Sequence, residues 1–174
     1  MTVAMRWPSA LPDAVRAVSV DAGEKVLAGA VAADGAVLAG TALALYLVDP
    51  VGETRRVGWE QMQRADWNPD DGMLSLSEVG AFGGSRPVYR FAFEFEARFL
   101  AFLRERITST LLLQRHVPVQ GAKGLFVIAR RAPGGDRAVT WLYEFEEGVD
   151  VADPEVLRAA EAALARARDE VGDL

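Results

Sequence analysis

Between residues 88 and 107 the spacing of the apolar residues changes period, and that change limits what the chain can fold into. Up to residue 95 the pattern alternates. Tyr89, Phe91, Phe93 and Phe95 fall on one parity, Arg90 and Glu94 on the other. A repeat of two marks a strand with one face on a core. From Phe99 the repeat becomes three and four, through Leu100, Leu103 and Ile107, while Arg98, Arg104, Glu105 and Arg106 lie off the stripe. That spacing predicts an amphipathic helix within 96–110. The same succession returns downstream. Leu111, Leu113, Val117 and Val119 alternate, Gln120-Gly121 is a turn, and strands are predicted over 125–131 and 139–146. Asp153-Pro154-Glu155 then supplies an N-cap, a proline at the first helical position and an acid in the first turn, so a helix is predicted to about residue 171. Its apolar stripe is Leu157, Ala160, Leu164, Ala167 and Val171. Sheet then helix, twice over, makes the chain α+β.

The first half is read the same way. A short helix is predicted over 12–18, a strand within 25–33, an Asp34-Gly35 turn and an antiparallel return over 36–39. Residues 42–48 carry no charge and are long enough for one buried strand. After the turn at Asp49-Pro50-Val51-Gly52, a run over 54–67 places Trp59 and Trp67 on one parity. In an extended chain both indoles then share a face. Asn68-Pro69-Asp70-Asp71-Gly72 is the strongest turn signal in the chain. A strand with one wet face follows over 73–79, and residues 80–87 are a loop.

Three pieces of this stretch carry a resemblance. Gly23-Glu24-Lys25-Val26-Leu27, then Gly40-Thr41 leading into Ala44-Leu45-Tyr46-Leu47, then Arg55-Arg56-Val57-Gly58-Trp59-Glu60-Gln61-Met62 resemble bacterial PH-like domains of an uncharacterised family, over about residues 24–108. The resemblance implies a PH-like antiparallel β-barrel with a capping helix, here followed by a three-stranded β-meander and a C-terminal helix. The chain then divides into an arm and short helix (1–23), the barrel and helix (24–110) and a β-β-β-α extension packed on or beside it (111–174). PH domains that bind phosphoinositides use a basic loop between their first two strands. Here that loop is Ala32-Ala33-Asp34-Gly35, an acid with no base, which argues against a phosphoinositide ligand.

Composition narrows the chemistry. The absence of cysteine excludes disulfides and thiol catalysis and makes a cytoplasmic location the default. The longest charge-free apolar run, residues 36–48, is short of the roughly 20 residues that a membrane span needs, and residues 1–16 show no signal-peptide core. His116 is the single histidine; with no cysteine beside it a zinc site lacks ligands, and it is read as structural. Asp66, Asp70 and Asp71 do not form a calcium loop. Neither glycine-rich piece, at 80–85 or 121–124, has the ending of a phosphate loop. No catalytic residue, metal or cofactor is therefore assigned.

Charge is uneven. The net is −6, yet residues 98–137 hold eight bases against two acids. The candidate binding residues are Arg104, Arg106, Arg115 and Arg130. Arg130 and Arg131 must point to opposite sides of a strand, so at most one of them joins a given face. A net negative protein is a poor match for nucleic acid. The expectation is a non-catalytic protein-interaction or ligand-binding module, with a protein partner and with homo-oligomers left open. The alternatives are an enzyme whose site assembles only in three dimensions, or a peripheral membrane or nucleic-acid contact through 98–137.

Overall fold

The computed structural model describes residues 10–80, 86–94 and 96–172. Among these residues a short helix α1 (Asp13–Arg16) precedes ten strands grouped in three antiparallel meanders. The first sheet is β1 (Ala28–Val31), β2 (Val37–Gly40), β3 (Ala44–Val48) and β4 (Thr54–Gly58), in that order. The second is β5 (Met62–Asn68), β6 (Met73–Glu78) and β7 (Val88–Ala92), followed by α2 (Ala97–Ser109). The third, β8 (Leu111–Gln120), β9 (Lys123–Arg131) and β10 (Val139–Phe145), is followed by α3 (Pro154–Val171). The α+β class is as expected. No sheet closes on itself among the described residues; the first two are open sheets whose inner residues share one core.

The first two sheets and α2 share one core. Leu45 and Leu47 of β3, Val57 of β4, Leu74 and Leu76 of β6, and Phe99, Leu100, Leu103 and Ile107 of α2 all meet there. The predicted helical stripe and the predicted wet-and-dry alternation of β6 are both found in place. Phe93 is buried in this core and Tyr89 and Phe91 pack against it, while Phe95 lies outside the described residues. The uncharged run around β3 has a second reason to be apolar. Ala44 and Tyr46, on its other face, pack with Ala39 against Val15 of α1, so β3 is covered on both sides.

The two tryptophans meet the core by a different route from the one their parity suggests. The chain does not run extended from 54 to 67: a 3₁₀ turn at Trp59–Gln61 forms the corner between the first and second sheets. Trp59 sits in that corner, fully buried, and its indole N–H donates to the Thr41 carbonyl at 2.9 Å. Its ring meets Phe102 edge-on at 5.8 Å. Trp67 lies in β5 and packs on Phe93 at 5.2 Å. Between them the β5–β6 register shifts from Met62 to Arg64, a bulge that leaves Gln63 opposite no partner residue. A corner plus a bulge, not a shared strand face, brings both indoles to one core.

In the third sheet, Leu125 and Val127 of β9 pack against α3 through Ala160, Ala163 and Ala167. Asp153 caps α3 by accepting the Glu155 backbone N–H at 2.8 Å. The buried stripe of α3 also takes in Val156 and Ala163, with Leu157 and Leu164 only half-buried. Alanine rather than leucine thus lies nearest the sheet.

Candidate functional site

The arginines singled out by charge do not gather on one face. Arg104 is exposed on α2. Arg106, two residues on and so on nearly the opposite side of the same helix, donates to Glu105 at 2.8 Å and lies over the Phe102 ring at 5.5 Å. Arg115 leaves β8 to pair with Glu170 of α3. Arg130 is only 6% exposed. Its Nη1 donates to the Ile107 carbonyl at 2.9 Å and to Thr110 Oγ1 at 3.0 Å, and its Nη2 donates to the Gln63 carbonyl at 3.2 Å. Burial pushes the Arg130 guanidinium pKa down, and the negative charge of Glu144 acts in the opposite direction. Arg130 is thus a cation set at the last turn of α2, where the helix dipole favours one, and it also satisfies the bulge carbonyl. Arg131 is half-buried and gives its backbone N–H to the Thr110 carbonyl at 2.7 Å.

The other residues weighed from the sequence fall elsewhere. His116 Nε2 lies 2.8 Å from Glu146 Oε2, which also accepts the Gly124 backbone N–H at 2.6 Å. Hydrogen bonds from His116 and Gly124 hold the Glu146 carboxyl below its ordinary pKa. Asp66 is exposed beside Arg64, and Asp71 accepts the Met73 N–H within its turn. Among the described residues no three His, Cys, Asp or Glu side chains stand close enough to hold a metal ion. No helix is long and apolar enough to cross a membrane among them either.

Two acid-centred clusters brace the scaffold instead, one within the first sheet and one between the first and the second. Glu24, its side chain 2% exposed, accepts from Thr41, Tyr46 and Arg56. Burial alone raises its pKa, yet those hydrogen bonds bring it below the ordinary value. Glu78 of β6 takes a bidentate pair from Arg55 of β4, Nε at 2.8 Å and Nη2 at 2.9 Å, and the Tyr89 hydroxyl at 2.7 Å. Burial again opposes the result, and the hydrogen bonds from Arg55 and Tyr89 hold Glu78 low. Burial and the Glu78 carboxylate push Tyr89 up to about 12.

The arrangement with room for a ligand is one that the sequence did not indicate. A cleft of about 910 Å³ opens between the second sheet and β10, with the start of α3 at its rim. Val79, Leu142, Val151 and Leu157 give it an apolar wall, and Val151 is 53% exposed. Gln61, Arg86, Thr140 and Glu144 add polar groups. Thr140, Leu142 and Glu144 share one parity of β10; Trp141, Tyr143 and Phe145, on the other, pack toward α3 and also line the cleft. Glu144 is held by Gln63 Nε2 at 2.7 Å and Arg64 Nη2 at 3.3 Å, with Arg86 Nη1 at 3.6 Å. Arg86 donates from Nη1 to Gln63 Oε1 at 2.9 Å. Gly80 lets it lie there, since a Cβ at that position would stand 2.6 Å from Arg86 Cγ. The only trace of this site in the sequence is Glu144, an acid among apolar β-formers on β10.

Comparison of the chain with protein-family models, with curated proteins and with solved structures finds no match.

Proposed function

We propose that this protein is a non-catalytic binding module whose ligand occupies the cleft between the second sheet and β10. The cleft itself carries the reading: a concave space with an apolar wall on which a few polar groups converge is the usual form of a ligand site. Glu144, the carboxylate that lines it, is already engaged by Gln63, Arg64 and Arg86. That favours binding over acid–base work, for which a carboxylate must reach a substrate proton.

The scaffold we read as PH-like. In support, the four-stranded and three-stranded meanders turn a corner at Trp59–Gln61, α2 closes over their common core, and Ala33 N–H donates to the Ala92 carbonyl at 2.7 Å across the open seam. The dispersal of Arg104, Arg106, Arg115 and Arg130 supports a surface with little attraction for nucleic acid or anionic membrane. A cytoplasmic location fits the absence of cysteine.

An NMR screen of small amphipathic compounds against the full chain tests the site. Binders should move the amide resonances of Thr140, Leu142 and Val151, and Val151→Glu should abolish their binding without changing the melt. Compounds that bind but shift only residues away from the cleft would remove it as the site.

A further inference from the structure

Taking that cleft as the binding site, we infer that its ligand is an amphipathic monocarboxylate, with the carboxylate on Arg86 and the apolar body against Leu142, Val151 and Leu157. The chain itself shows how an arginine here receives a carboxylate. Arg55 presents Nε and Nη2 side by side to the two oxygens of Glu78. Arg86 has the same edge to offer. Its Nη1 is committed to Gln63 and lies 3.6 Å from Glu144, and among the described residues Nε and Nη2 make no hydrogen bond. A planar fork with two adjacent donors is matched by a carboxylate.

The surrounding charge sets the valence. Arg64 and Arg86 stand beside Glu144, the one carboxylate that lines the cleft, and the charge of Glu144 also acts on the buried Arg130. One negative charge on a ligand is met by the open edge of Arg86. A second would be placed beside Glu144, in a partly desolvated cleft where like charges repel strongly. Gln61 and Thr140 are joined only by a long contact of 3.4 Å, so each retains hydrogen-bonding capacity for a ligand oxygen. The apolar wall excludes small, fully hydrated anions as good occupants, because they would leave Leu142, Val151 and Leu157 uncovered.

Calorimetric titration of the full chain at pH 8 with decanoate, decanol and decyl phosphate tests the assignment. Decanoate should bind about tenfold to hundredfold tighter than decanol, the range for a charged hydrogen-bonded contact. Decyl phosphate, a dianion at this pH, should bind more weakly than decanoate. Arg86→Met should make decanoate and decanol equal. Glu144→Gln, which keeps the side chain's shape, should strengthen decyl phosphate, so a second variant of opposite sign guards against a folding defect in the first. Decanoate and decanol binding equally to the parent protein, with both lost in Val151→Glu, would overturn the monocarboxylate and leave the cleft as the site. Decanoate binding that survives Val151→Glu unchanged would overturn both.

Discussion

Arg130 Nη1 and the carbonyl oxygen of Ile107 are 2.9 Å apart, so a side chain of the third sheet ends the helix that closes the first core. The same oxygen accepts from Thr110 Oγ1 at 2.8 Å, and Arg130 reaches on to the Gln63 carbonyl at the β5 bulge. One guanidinium therefore joins β9, α2 and β5.

Arg130→Met should cost about 2–4 kcal/mol of stability. The methionine fills much of the space but leaves the Gln63 carbonyl and part of the Ile107 carbonyl's bonding unmet in a buried setting, and each such group costs on the order of 1–3 kcal/mol. Urea unfolding followed by far-UV circular dichroism measures it. A variant with the parent midpoint would mean that water replaces the guanidinium at no cost.

Gly40→Ala should destabilise the protein by about 1–3 kcal/mol, the usual range for overpacking a filled interior. The new Cβ would lie 2.3 Å from Cε1 of Phe102, and that ring is itself fixed edge-on to Trp59. Shortening the neighbour should relieve the clash, so the pair Gly40→Ala with Phe102→Leu is expected to cost less than the sum of the single changes. Thermal melts of the three variants decide this, and strict additivity would place the strain elsewhere.

Glu78 and Tyr89 give the fold opposite pH dependences at the two ends of the scale. The Glu78 pKa is lower in the folded chain, so the unfolded chain binds more protons in the acid range. The stabilisation is complete above the ordinary glutamate pKa of about 4.3 and is lost as pH falls through the lowered folded value. Tyr89 is raised to about 12, so its contribution is complete below about 10, the ordinary tyrosine value, and is lost as pH rises toward the folded pKa. Unfolding free energies measured across both ranges should flatten at the acid end in Glu78→Gln and at the alkaline end in Tyr89→Phe. Unchanged slopes in both variants would assign the pH dependence to other groups.

Much of the scaffold was legible because it rests on periodicity. Leu74 and Leu76 alternate with serines, and the α2 stripe repeats at three and four; burial follows those patterns directly. The Asp153-Pro154 start of α3 was legible because capping is local chemistry. The corner at Trp59 was not, because parity counts only while a strand stays extended, and a 3₁₀ turn and a bulge both reset it. The cleft was hidden for a different reason. Arg86, Glu144 and Val151 are brought together by the docking of one sheet beside another, which no local spacing encodes. Arg130 shows the limit of charge counting. Its neighbours in sequence marked it as one of a basic group, but the strand points it into the interior.

The position of Arg130 in the chain also orders events during synthesis. The first two sheets and α2 are complete by Ser109, some twenty residues before the guanidinium that satisfies the Ile107 carbonyl is made. Until β9 pairs, the last turn of α2 and the β5 bulge keep their carbonyls in water. The first core can therefore collapse early, but its rim sets only when the third sheet arrives. A chain cut at Thr110 would keep its apolar interior and lose the end of the helix that closes it.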